Sequence, residues 1–210
     1  LTRAANPALA EAQASAPVTV IADPATCAVQ FDPVGRAAFA SSCDLAKGVL
    51  SGAGISYRNE AAPEGSTAMV RIGDRLIPSL EASSLDAAGL AAARADVQAR
   101  VNAALLEAGY PERADPERMN LPAVFGILMI FIIAATALYG PQAAALVELF
   151  PTRVRYTAMS LPYHIGTGWV GGLLPAASFA LGAWSGDIYF GLWYSVAFTA
   201  VAVIVSLIWL

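Results

Sequence analysis

Three apolar runs without a single Asp, Glu, Lys or Arg occupy the C-terminal part of this chain: Leu121–Val147, Tyr156–Gly186 and Ile188–Leu210. The shortest has 23 residues, which as an α-helix is roughly 35 Å long. A bilayer's hydrocarbon core is only ~30 Å thick and needs about 20 residues to cross. In lipid, each backbone N–H and C=O must be bonded within its own segment, so such runs are helices. From Met119 onward the only formal charges are Glu148, Arg153, Arg155 and Asp187, each between runs or at the end of one. The alternative is a set of buried core helices in a soluble protein, but three consecutive ones without a charged face would be unusual. The pattern predicts transmembrane helices at about 121–149, 157–183 and 188–210.

Residues 1–118 differ in kind. They hold 10 of the 12 Lys and Arg, 14 of the 16 Asp and Glu, and so the whole net charge of −4. An acidic, weakly charged region of this kind has no basic stripe for nucleic acid. Its length is enough for one small core.

Orientation follows from two signals. Arg153 and Arg155 lie in the short loop between the first two spans, and positive charge in short loops favours the cytoplasm. Residues 1–118 and the Ala183–Ile188 turn then face outward. Cys27 and Cys43, the two cysteines of the chain, both lie in the outward region, as suits a disulfide in an oxidising compartment. The alternative is two separate buried thiols. No basic segment followed by an apolar core precedes this region, so its export is expected to depend on earlier spans upstream of Leu1.

The outward region reads as a small α/β insertion. Val18–Ala22 and Cys27–Phe31 are short strand candidates, and Ile55–Asn59 and Ala68–Ile77 further ones, separated by a Pro63-Glu64-Gly65 turn. Ser42–Leu50 opens on a capping serine and reads as a helix stopped by Gly52 and Gly54. Asp86–Ala108 is the clearest helix, with Leu90, Val97, Val101, Leu105 and Ala108 on one face and Gly109 and Pro111 at its end. The region has no histidine, hence no Ser/His or Cys/His pair and no expected zinc site. Its carboxylates are scattered. Neither an enzymatic role nor a cofactor is expected.

Gly166-Thr167-Gly168-Trp169-Val170-Gly171 matches the dinucleotide fingerprint G-x-G-x-x-G in letters only. That motif works at a strand-to-helix turn, whereas here it lies inside an apolar run. Close helix packing is the expectation, with Gly168 and Gly172 as a G-x-x-x-G face. Helix breakers recur nearby: Gly140-Pro141 in the first span, Pro162 and Pro175 in the second. Such breaks are tolerated where helices pack together or line a cavity. Tyr139, Gln142, Tyr163, His164, Thr167 and Trp169 add polar groups that a simple anchor does not need. Trp184, Tyr189, Trp193 and Tyr194 suit an interfacial aromatic belt.

The stretch Tyr139–Ser160, with its core Glu148-x-Phe150-Pro151-Thr152-x-x-Arg155, resembles the segment after the tenth helix of the major facilitator superfamily. The continuation Leu161–Trp169 is similar to the metabolite:proton symporter branch, which contains the proline/betaine and dicarboxylate permeases. The resemblance covers about Leu121–Leu210, and no short motif assigns Leu1–Arg118. It implies an α-helical membrane protein: the last three transmembrane helices, ten to twelve, of a twelve-helix fold in the bacterial inner membrane. A periplasmic insertion would precede them. The nine helices missing here would come from the same protein, because three spans cannot form two rocking halves. The implied partners are a small polar solute, protons and membrane lipid.

By this resemblance Glu148, Arg153 and Arg155 form a cytoplasmic charge cluster that holds an inner gate; otherwise they are interfacial charges worth at most about 1 kcal/mol. His164 lies roughly 12 Å into the second span by helix rise. As an intramembrane group that titrates near neutrality it is a candidate for proton or substrate handling, the alternative being a neutral imidazole bonded to a neighbouring helix. Tyr139, Gln142, Tyr163 and Trp169 are the other candidates for the path, with aromatic packing as the plainer reading. The runner-up function is a membrane-anchored extracytoplasmic binding or sensor domain, and a structural subunit of a larger complex is a third. If the orientation holds, a cysteine placed at Thr152 in whole cells resists impermeant thiol reagents added outside. Rapid labelling from outside would invert the topology.

Overall fold

The computed structural model describes residues 2–209. The chain divides into two compact units, one formed by Glu11–Glu112 with Leu174–Leu210, the other by Leu1–Ala10 with Arg113–Leu173.

In the first unit β1 (Val18–Ala22) is an apolar run buried along nearly its whole length, as expected of a strand covered on both faces. It lies inside a four-stranded sheet of order β2-β1-β3-β4, with β2 at Tyr57–Ala61, β3 at Met69–Ile72 and β4 at Arg75–Pro78. β1 pairs parallel with β2, Val18 opposite Tyr57, and antiparallel with β3, Val20 opposite Val70. A parallel neighbour requires a crossover, and a helix at Ser42–Gly52 lies within it. A long helix at Ala87–Glu107 follows the sheet. Val18, Val20, Leu45, Leu50, Val70 and Val97 are almost wholly buried and form the core.

With two short N-terminal helices, α1 (Thr2–Ala5) and α2 (Pro7–Ser15), these become α3 (Ser42–Gly52) and α4 (Ala87–Glu107). The expected helix over Asp86–Ala108 is present with Asp86 as N-cap, its Oδ1 accepting from Gly89 N at 2.8 Å, and with Gly109 just beyond at φ +85°. Val97, Val101 and Leu105 face the core as their spacing predicts. At α3 the capping residue is Ser41, one position earlier than expected. Ser41 Oγ accepts from Asp44 N, while Ser42 is buried and its Oγ accepts from Ala68 N at 3.0 Å.

Two strand expectations are corrected. Ala68–Ile77 is a hairpin rather than one strand, because Gly73 (φ +56°) and Asp74 form a two-residue loop between Ile72 and Arg75. Cys27–Phe31 is irregular. It is held by α3 instead of a ladder: Ala28 N donates to Asp44 Oδ1 at 2.8 Å, and the Gln30 side chain donates through Nε2 to the Asp44 carbonyl at 2.7 Å. Side-chain acceptors of this kind compete directly with strand pairing. Cys27 and Cys43 are brought to disulfide distance, with Cα atoms 5.2 Å apart.

Two helices are long and apolar enough to cross a membrane. The first, α5 (Leu121–Glu148), starts at an Asn120 cap whose Oδ1 accepts from Ala123 N, and none of its most apolar window is buried. The second runs over Arg155–Ser185 as α6 (Arg155–His164), a π-helical stretch Ile165–Gly171 and α7 (Gly172–Ser185). These match the first two expected spans. The third, expected at 188–210, is shorter: α8 (Leu192–Trp209), with Leu210 outside the described residues. Asp187–Gly191 forms a turn instead, in which Phe190 N donates to Asp187 O and Leu192 N to Tyr189 O.

The end of α7 meets the outer edge of the sheet. The last four carbonyls of a helix lack intrahelical donors. Here Tyr57 OH donates to Ala183 O, Asn59 Nδ2 to Trp184 O and Ser185 O at 3.1 Å each, and Tyr57 N to Gly186 O at 2.7 Å. Burial pushes the Tyr57 hydroxyl up to about 12. Gly186 adopts φ +84°, and a Cβ there would overlap the Tyr57 carbonyl and ring.

Gly186→Ala should therefore lower the stability of this unit by about 2 kcal/mol or more, read as a drop of several degrees in Tm. Gly52→Ala, where nothing lies within 4 Å, should leave Tm nearly unchanged. Equal melting of both variants would remove the junction's importance. Peptide mapping of protein from intact envelopes should recover Cys27 linked to Cys43; free thiols at both positions would reject the bond.

Candidate functional site

Polar residues in the long apolar helices recur at helical spacing. On α5, Tyr139, Gln142, Ala143 and Leu146 stand at i, i+3, i+4 and i+7. On α6, Tyr156, Met159, Ser160, Tyr163 and His164 continue the same period. Residues so spaced share one face. A short connection, in which Val154 N donates to Pro151 O, joins the two helices and turns these faces toward a common cleft of about 410 Å³ lined by all nine residues.

The cleft brings together four of the five residues expected on the path: Tyr139, Gln142, Tyr163 and His164. The Tyr163 and His164 rings meet edge to face, centroids 5.7 Å apart. Trp169 is outside the cleft and largely exposed. Tyr156 and Ser160 were missed from sequence, although they precede His164 by eight and four residues on the same face. The chemistry on offer is hydrogen bonding from phenols, an amide, a hydroxyl and one imidazole.

The glycine-rich stretch widens the helix. Gly166, Gly168 and Gly171 fall in the π-helical turn, bracketed by Pro162 and Pro175. A proline removes one N–H from the helical ladder, and π turns of this kind are frequent at functional sites. Thr167 Oγ1 donates to the Tyr163 carbonyl at 2.8 Å. Nothing lies within 4 Å of a Cβ built at Gly168, and only the Thr167 carbonyl reaches one at Gly172, at 4.0 Å. Among the described residues no helix packs on the Gly168–Gly172 face. The glycines here serve the local backbone.

Glu148 is the last residue of α5, Arg153 lies in the connection and Arg155 opens α6. Arg155 Nε donates to the Phe150 carbonyl at 3.1 Å. Among the described residues no ion pair joins Glu148 to either arginine. In the α/β unit Asp23, Asp44 and Asp86 serve the backbone, whereas Glu60, Asp96 and Glu107 pair with Arg71, Arg100 and Arg75. Hydrogen bonds from Gly65 N and then Ala25 N hold the Asp23 carboxyl below its usual range. Among the described residues no three His, Cys, Asp or Glu side chains are grouped to hold a metal.

No protein-family model, curated protein or solved structure matches the chain. The resemblance to the major facilitator superfamily rests on residues 139–169 alone.

Proposed function

We propose that this chain is part of a secondary active transporter of the major facilitator type, carrying a small polar metabolite or osmolyte with protons across a bacterial inner membrane. The observation that carries this reading is the α5–α6 cleft. Four polar side chains expected on a solute path face one another inside helices that otherwise carry no charge along their length. A lipid anchor gains nothing from burying a phenol, an amide and an imidazole at one depth, and polar groups inside a membrane mark solute or proton paths. The apolar surface of α5 supports the same reading, since an unburied helix of 28 residues needs lipid or other helices to cover it.

In this reading Glu148, Arg153 and Arg155 face the cytoplasm and bias an inner gate through partners on the nine other helices. His164 tunes proton coupling. Residues 1–118 face the periplasm. The second reading, an anchored extracytoplasmic binding domain, is favoured by one feature, an open cleft of about 590 Å³ in the α/β unit.

In membrane vesicles bearing the complete transporter, uptake of proline, glycine betaine or succinate should be abolished by an uncoupler. Glu148→Gln and Arg155→Ala should each slow uptake by roughly tenfold at normal expression, a gate shift of about 1.4 kcal/mol. His164→Gln should flatten the pH profile. Uptake insensitive to the uncoupler rejects proton coupling. An unaltered pH profile at full activity reduces His164 to packing, and normal rates in both charge variants remove the gate.

A further inference from the structure

The α/β unit has a cleft of about 590 Å³ between α3 and α4, within the 300–1,000 Å³ typical of small-molecule sites. One wall is a polar row on α4. Arg94, Gln98 and Asn102 stand at i, i+4 and i+8 and line the cleft, while Val97 and Val101 of the same helix turn into the core. The facing wall is a row of the same period on α3: Asp44, Gly48 and Gly52. The two glycines keep that wall low. A Cβ at Gly48 would already touch the Gln30 amide at 3.6 Å.

The polar groups on α4 are unspent. Arg94, Gln98 and Asn102 make no side-chain hydrogen bond or ion pair among the described residues, whereas Arg100 on the same helix pairs with Asp96 at 2.8 Å. Gln30 is buried at 4% exposure and lines the cleft. It donates one N–H to the Asp44 carbonyl, and an amide has one more donor and an acceptor oxygen to offer. Asp44 holds Ala28 N with Oδ1, and Glu112 adds a second carboxylate to the lining. The remaining lining includes the apolar side chains of Val49, Ile55 and Leu105, together with Tyr110. Tyr110 is fixed in place by donating its hydroxyl to Ala16 O at 2.7 Å.

We propose that this cleft binds a small amphoteric metabolite of about dipeptide size. Arg94 takes its carboxylate, Gln98 and Asn102 its peptide group, and Asp44 with Glu112 its ammonium. An apolar side chain rests on Val49, Ile55 and Leu105. A guanidinium with no internal partner is suited to a planar carboxylate, because two parallel N–H···O bonds form at once. Amides facing the middle of the ligand satisfy a peptide bond as donor and acceptor alike. Binding here does not depend on transport through the apolar helices.

The test is calorimetric titration of the full chain in nanodiscs with alanyl-leucine and with its C-terminal amide. The dipeptide should bind saturably, and the amide about tenfold more weakly, since a charge-assisted pair is lost. Arg94→Ala should weaken the dipeptide by a similar tenfold and erase the difference between acid and amide. Its Tm should stay unchanged, because the side chain is exposed and unpaired. Gly48→Leu should fill the cleft and remove binding of both. No saturable binding to the unmodified chain would overturn the proposal. So would equal affinity for acid and amide, or an Arg94→Ala variant that binds normally.

Discussion

The helix-terminal carbonyls at the end of α7 are the constraint on which the α/β unit is organised. Four successive carbonyls, from Ala183 to Gly186, find donors on two residues of the edge strand β2, Tyr57 and Asn59. Two liabilities cancel in one contact. A helix end leaves acceptors without donors, and an edge strand leaves peptide groups open to pairing with another chain. The Gly186 turn makes this possible, because only a residue without Cβ reaches φ +84° this close to the Tyr57 backbone. The Tyr57 phenol is neutral throughout the physiological range, and burial raises its pKa further, so its hydroxyl remains a donor.

The second organising element is α3. Asp44 supplies acceptors to the segment after Cys27, and Cys43 lies at bonding distance from Cys27. A cross-link closing a loop of this length stabilises a fold by about 3 kcal/mol in the chain-entropy view. Lys47, on the same helix, is buried, which lowers its pKa against the raising effect of Asp44. The glycines of α3 give up packing area on the face opposite α4, and the open cleft is the result.

The apolar helices follow a different economy. Their peptide groups bond within each helix, so prolines and glycines show as local changes of winding. Pro162, Pro175 and three glycines give a π turn in mid-helix, next to the face that bears Tyr163 and His164. Widened backbone and polar side chains thus sit together on one helix.

Charge-free runs of more than twenty residues determined by themselves that α5 and the 155–185 helix form, because no other backbone satisfies itself in an apolar medium. Periodicity and caps likewise determined α4, and the Ser41–Ser42 neighbourhood located the start of α3 to within one residue. The polar candidates Tyr139, Gln142, Tyr163 and His164 were legible because polarity inside an apolar run is conspicuous. Tertiary structure decided the rest. Cys27–Phe31 has strand-like alternation, yet Asp44, more than a dozen residues away, captures the Ala28 backbone donor and the Gln30 side chain. Ala68–Ile77 is the exception, since the Gly73-Asp74 loop that folds it back is a local hairpin signal. Tyr156 and Ser160 join the cleft only because the 149–154 connection turns α6 to face α5. The cap on α7 comes from β2, some 125 residues earlier in the chain, a separation at which no local pattern carries information. Local bonding is written in adjacent residues, and long-range partnership is decided by whichever donors and acceptors folding brings within reach.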